Sequence, residues 1–249
     1  MSADALRDLV LAGIQWEIEE LPTVAPLKTS QTDKKIASGD VSHPQNTIVP
    51  PIAPVQQMSI DTVRAMASRP ADTDSLKRMI GEFNHPLRNT ATNTVLPHFG
   101  HGKMLILTDI PSSDDDATGT VLSGTSGELM DKMLAAIGLS RSDVSIVPMI
   151  FWRTPGGRSP SAQELELARP FVDKAIELIG PRVILSMGTL PAVEYANVNL
   201  AKCHGVAVEM ENGVTFVPIF HPNYLILKPA AKRDVWTALQ NVQNILKNA

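Results

Sequence analysis

The sequence predicts a three-layer α/β/α domain on a central, mostly parallel four-stranded sheet, and three features predict it. Four short apolar runs recur in the second half of the chain: Lys103–Thr108, Val144–Phe151, Arg182–Gly188 and Val214–Phe220. Amphipathic segments at helical spacing alternate with them. Each run then breaks at a loop rich in Pro, Gly, Ser or Asp. Strands buried on both faces read as continuous apolar runs, and alternation with helices places those helices on the two faces of a parallel sheet.

The elements follow in order. Residues Ala5–Glu20 carry Leu6, Leu9, Val10, Ile14 and Ile18 mostly on one side of a short helix. From Pro22 to Met58, six prolines punctuate a stretch rich in Thr, Ser, Gln and Val. Such a composition cannot propagate a helix or bury a core, so a flexible linker is expected. The expected organisation is therefore an N-terminal helix (1–21), a Pro-rich linker (22–58) and a folded domain (59–249). Helical pieces are expected near Ser59–Ser68 and Asp74–Phe83. Beyond the first apolar run, Leu129, Met133, Ala136 and Ile137 mark a helix over Ser126–Ile137. Leu165, Ala168, Val172, Ala175, Ile176 and Ile179 mark a long one over Ala162–Ile179. A small helix starts at Leu190, and Val235, Leu239, Val242 and Leu246 mark the closing helix over Ala231–Leu246. Pro218 demotes the end of the fourth run to an edge or exit position.

Composition narrows the function classes. The chain has 249 residues, 43% of them hydrophobic, which is enough for one core. The formal net charge is −4, so any contact with nucleic acid needs a local basic patch rather than a global field. The single cysteine, Cys203, excludes an intrachain disulfide and any site built from several cysteines of one chain. No apolar run is long enough to span a bilayer, and the first residues lack a basic segment followed by an apolar one. A cytoplasmic protein without membrane association is expected.

Ligands of parallel α/β sheets bind outside the carboxyl ends of the strands. The loops expected at that edge resemble a known family. Thr108-Asp109-Ile110-Pro111-Ser112-Ser113-Asp114-Asp115-Asp116 stands where family-four uracil-DNA glycosylases carry GEAPGxxED, and Gly119, Gly124 and Gly127 continue the pattern. Arg153-Thr154-Pro155-Gly156-Gly157-Arg158-Ser159-Pro160 resembles their RPPGNRxP loop, and Ala168-Arg169-Pro170-Phe171 resembles CRPF. His221-Pro222-Asn223-Tyr224-Leu225, followed by Pro229 and Lys232-Arg233, is similar to HPAYLLRQPALKR. Upstream, Leu87 and Thr90-Ala91-Thr92-Asn93 also match. The N-terminal helix and linker resemble the extension of alphaproteobacterial members. The resemblance is dense from about His85 onward and implies a uracil-DNA-glycosylase-like fold.

The departures from the family matter as much. Its four cysteines, which hold a 4Fe–4S cluster, fall on Glu82, His85, Trp152 and Ala168. A cluster needs thiolates or rare imidazole substitutes, so no iron–sulfur cofactor and no metal is expected. The glutamate of GEAPG becomes Asp109. The aromatic that stacks on the flipped base becomes Leu122. The asparagine that hydrogen-bonds the uracil edge becomes Pro148, which has neither a side-chain donor nor a backbone N–H.

Excision of a base requires flipping it, recognising it and breaking its bond to the sugar through an oxocarbenium-like transition state. The resemblance implies that Asp109 supplies a carboxylate to that cation or to the attacking water. The residues alone equally allow a loop carboxylate capping backbone N–H groups. His221 is implied to hydrogen-bond the departing base; a turn histidine bonded to backbone is the alternative. Leu225 aligns with a leucine that wedges into the duplex, and packing on the closing helix is the alternative. Asp114, Asp115 and Asp116 read as a solvated acidic turn ahead of a spare carboxylate or a cation site. Arg153 and Arg158 on one loop, with Lys228, Lys232 and Arg233 opposite, are expected to rim a cleft and contact phosphates, against the alternative of solvated charges. Cys203 and His204 read as structural. DNA bound weakly through this rim is the expected partner, and a monomer is expected. Two readings stand: a glycosylase with weakened or altered base specificity, and a catalytically inactive DNA-binding or protein-interaction module on the same fold.

Overall fold

A computed structural model describes residues 59–248. The expected N-terminal helix (1–21) and linker (22–58) lie outside the described residues. Helix α1 (Ile60–Ala67) starts at Ser59, whose hydroxyl accepts the Thr62 N–H. Helix α2 (Thr73–Glu82) starts at a reciprocal cap between Asp72 and Ser75. Such caps satisfy donors that the first helical turn leaves free.

The sheet follows. Strand β1 is Met104–Thr108, β2 Val144–Pro148, β3 Val183–Met187, β4 Val208–Glu209 and β5 Thr215–Ile219. Helices α3 (Ser113–Thr118) and α4 (Gly124–Ala136) join β1 to β2, and α5 (Ala162–Ile179) joins β2 to β3. Helices α6 (Thr189–Ala196) and α7 (Leu200–Cys203) follow β3. Helices α8 (Pro222–Leu227) and α9 (Lys232–Asn248) close the domain.

The strand order is β2-β1-β3-β5-β4, parallel except for β4. The sheet thus has five strands where the sequence predicts four. The extra one pairs only Val208 with Phe216 and Glu209 with Thr215. Two residues carry no period, so the pairing alone defines this strand. Strand β5 also runs through Pro218 rather than ending there, with Ser186 as its register partner on β3. The Pro218 carbonyl accepts from Gly205 N–H on the other side, so the missing N–H faces away from β3 where β4 has already ended.

Side chains alternate between two cores. Met104, Ile106, Ile146, Leu185 and Val217 pack with Met130 and Leu134 of α4 and with Val235, Leu239 and Val242 of α9. Leu105, Leu107, Val147, Ile184 and Phe216 pack with Val63, Leu76 and Ile80 of α1 and α2 and with Phe171, Val172 and Ala175 of α5. Strand order reverses beside β1: β2 lies on one side and β3 on the other. The crevice at that reversal is where such sheets take ligands.

Candidate active site

Three strand ends meet at this crevice. Thr108, the last residue of β1, is buried, in register with Pro148 of β2 and Met187 of β3. Asp109 turns out of β1 over Gly188, which follows β3 with a φ of +111°. A Cβ at Gly188 would lie 2.0 Å from an Asp109 carboxylate oxygen, so only glycine admits the carboxylate here. Asp109 Oδ1 accepts the Leu190 N–H at 2.9 Å, within the first turn of α6. Burial pushes the carboxyl up to about 6, opposed by the Leu190 and Thr189 N–H groups.

His221 leaves β5 as the cap of α8. Its Nδ1 accepts the Asn223 N–H at 3.2 Å, so the ring proton sits on Nε2. Nε2 is 3.0 Å from Thr108 Oγ1 and donates to it. Burial pushes the imidazole down to about 4, with partial compensation from nearby Asp115, so the ring is neutral at neutral pH. The crevice therefore holds a neutral imidazole N–H donor and a carboxylate of raised pKa on adjoining loops.

The remaining candidates have other surroundings. Pro148 ends β2, buried, and presents no polar side-chain atom. Leu122 is 1% exposed, sits in the α4 core and has a φ of +50°, unusual for leucine. Arg141 holds this conformation by donating to the carbonyls of Val121 and Leu122. The acidic run is not a solvated turn. Asp115 accepts Ser112 N–H at 2.9 Å, Ser123 N–H at 2.6 Å and the Ser123 hydroxyl at 2.8 Å. Asp116 accepts the N–H groups of Thr92 and Asn93. Both are buried, and only Asp114 is exposed. Backbone donors take these oxygens because the loop they staple otherwise buries unpaired N–H groups.

Of the basic rim, Lys228 and Arg233 are exposed, and Arg153 and Lys232 half-buried. Arg158 instead makes a bidentate pair with Glu164 at 2.8 and 2.6 Å, which holds that carboxyl down at about 2. Leu225 is 1% exposed and lies in the core shared with α4 and α9, so no free wedge stands at this position. The most exposed large hydrophobic residue of α8 is Leu227, at 77%, with Tyr224 and Ile226 exposed beside it. Sequence reasoning passed over it because a six-residue helix has too few turns to show which side faces inward. His204 lies against Phe220 with ring centroids 4.2 Å apart, and Cys203 is a free thiol at the end of α7. A groove of about 690 Å³ along α1 and α5, lined by Arg64, Leu165, Arg169 and Lys174 among others, includes neither Asp109 nor His221.

The sequence profile of the uracil DNA glycosylase superfamily matches residues 97–241, more than half of the chain and all of the crevice. The chain belongs to the uracil-DNA glycosylase superfamily. Within it, the chain is 30% identical over 159 residues to the type-4 uracil-DNA glycosylase of Archaeoglobus fulgidus, covering 59% of this chain and 79% of the relative. It is 30% identical over 148 residues to the type-4 enzyme of Thermotoga maritima, covering 57% and 76%. With that of Pyrobaculum aerophilum it shares 27% identity over 164 residues, covering 60% and 81%.

The cluster of family-four members does not fit here. His85, Trp152 and Ala168 are each 0% exposed and meet in one place, but they fill it with rings. The His85 imidazole lies parallel to the Trp152 indole at 4.6 Å and 8°. His85 Nδ1 accepts the Leu87 N–H, so Nε2 donates to the Glu164 carbonyl at 3.0 Å. Trp152 Nε1 donates to Thr94 Oγ1 at 3.0 Å. Glu82 is exposed, and Cys203 lies in α7, so no thiolate borders this space.

Proposed function

We propose that the chain is a DNA glycosylase that hydrolyses the N-glycosidic bond of a flipped nucleotide with weakened or altered base choice. The observation that carries this reading is His221: a neutral imidazole at the strand-end crevice whose one N–H is fixed on Nε2 and held by the Thr108 hydroxyl. Such a donor stabilises negative charge that develops on a departing base and gives up no proton in doing so. Asp109, once ionised, lies on the adjoining loop to favour the oxocarbenium-like sugar or to orient water. The type-4 relatives are named for uracil excision from DNA, and the shared superfamily supports DNA as the substrate class. Arg153, Lys228, Lys232 and Arg233 are the groups we assign to phosphate contact. Pro148 has no group to pair with a base edge. Steep selectivity arises when a wrong base leaves buried polar groups unpaired, and such a group is missing at this position. A cytoplasmic monomer acting on DNA without a cofactor is the setting this reading implies.

One observation favours the non-catalytic alternative, in which the fold binds DNA or a protein without chemistry. The Asp109 carboxylate is already held by the N-terminus of α6 and is one methylene shorter than glutamate. A strand-cleavage assay separates the two. Duplexes with a single uracil, hypoxanthine, xanthine or mismatched base are incubated with the protein, and abasic sites are cleaved by alkali. Excision of at least one base, abolished by His221→Ala, supports the glycosylase. Product from none of them, at enzyme in excess of DNA, leaves the binding module.

A further inference from the structure

We propose that Thr108 is a positioning and specificity residue: its hydroxyl holds the His221 Nε2–H, so a base engages His221 only by displacing that hydroxyl. The inference rests on the reading of His221 as the donor to the base. Three observations carry it. First, His221 has one proton to give. Nδ1 is committed as acceptor to the Asn223 N–H, which fixes the tautomer. Second, that proton is taken: Thr108 Oγ1 is 3.0 Å from Nε2, and Thr108 is only 3% exposed, so water does not compete freely for the contact. Third, Thr108 is the buried last residue of β1, in register with Pro148 and Met187, at the strand end where such sheets take ligands. The fold thus brings a hydroxyl at a strand end to a histidine 113 residues away in sequence.

The consequence is chemical. A buried donor left unpaired is costly, so Thr108 stabilises the empty site. A base carbonyl must then compete with an acceptor that is already in place, and the gain on binding is only the difference between the two bonds. Thr108 stands beside Pro148 in the strand register, so both flank the same strand end. The apolar Pro148 and the Thr108 hydroxyl act in one direction: both lower the benefit of binding a base.

The test uses the full chain with Thr108→Val, which keeps shape and removes the hydroxyl, and with Thr108→Ala and Thr108→Ser. Long-range ¹H–¹⁵N spectra read the His221 ring, and single-turnover excision of uracil from a mismatched duplex reads chemistry. The valine and alanine variants should lose protection of the Nε2 proton from exchange. They should also excise about tenfold faster, a net hydrogen bond expressed as rate. Thr108→Ser, which restores the hydroxyl, should bring back the protection and remove the gain. Unchanged His221 exchange in Thr108→Val and Thr108→Ala overturns the proposal, whatever the activity. So does lost protection without faster excision in a protein that excises. If protection is lost but no variant excises any base, the glycosylase reading fails and takes the specificity role with it. The altered histidine signal distinguishes that failure from the first.

Discussion

At the scale of single residues, the two groups facing the crevice are shifted in opposite senses. Asp109 is pushed up to about 6 and His221 down to about 4, each by burial of its charged form. In the proposed reaction Asp109 acts ionised and His221 neutral. His221 is neutral above about 4 and Asp109 ionised only above about 6, so the acid limb belongs to the carboxylate. Single-turnover rates should fall about tenfold per pH unit below that value; a limb near pH 4 would assign it to His221. Stability carries the same signature. Asp109 binds more protons folded than unfolded, so its contribution is full below 3.8 and lost as pH rises through about 6. His221 binds fewer, so its contribution is full above 6.5 and lost as pH falls through about 4. The two oppose one another between these values. Asp109→Asn should therefore lose more stability than the parent on acidification from pH 6 to 4, measured by urea midpoints.

At the scale of elements, α8 shows how one short helix divides its labour. His221 caps it, Leu225 anchors it in the core, and Leu227 stands 77% exposed beside Lys228. Leu225→Ala should cost about 2–5 kcal/mol of stability, as for other buried leucines. Leu227→Ala should change stability by less than about 0.5 kcal/mol and instead weaken binding to an abasic-site duplex. Equal destabilisation by both would contradict this division, and so would unaltered DNA binding by Leu227→Ala. Helix α3 makes the same point for charge. Three consecutive aspartates look solvated in sequence, yet Asp115 and Asp116 spend their oxygens on backbone N–H groups of neighbouring loops.

At the scale of the whole molecule, the loop after α2, the exit of β2 and the start of α5 converge on the His85–Trp152 stack. Aromatic packing ties these three segments together. Trp152→Ala should cost about 3–5 kcal/mol, read as a fall in the denaturant midpoint. A chelator should leave the parent midpoint unchanged, and a shift on iron removal would contradict the stack as the tie. The proposed phosphate rim belongs to this scale too. With Arg158 paired to Glu164, four cations remain for phosphates, so log affinity for duplex DNA should fall with log salt at a slope no steeper than about −4. Replacing Lys232 and Arg233 by Ala together should flatten it by about 1 to 2. Affinity indifferent to salt would remove the rim from the account.

The order of the four main strands and the longer helices was legible in the sequence because continuous apolar runs and helical spacing are local signals; the short helices α3, α7 and α8 were not, because four to six residues carry too little period. The helix expected over Ala162–Ile179 is α5 to the residue, and the apolar runs contain β1, β2, β3 and β5. The motif loops at one sheet edge were equally legible, because parallel topology sends every strand end the same way. What only the tertiary structure decided is which partner each side chain meets. Asp109 finds the α6 N-terminus 81 residues on, and His221 finds Thr108 113 residues back. Arg158 pairs with Glu164 at the surface, Leu225 faces the core and Leu227 the surface. Strand β4 exists only as a pairing with β5. A one-dimensional pattern records how polar a position is; contacts between distant segments are set by the packing of layers that bring them together.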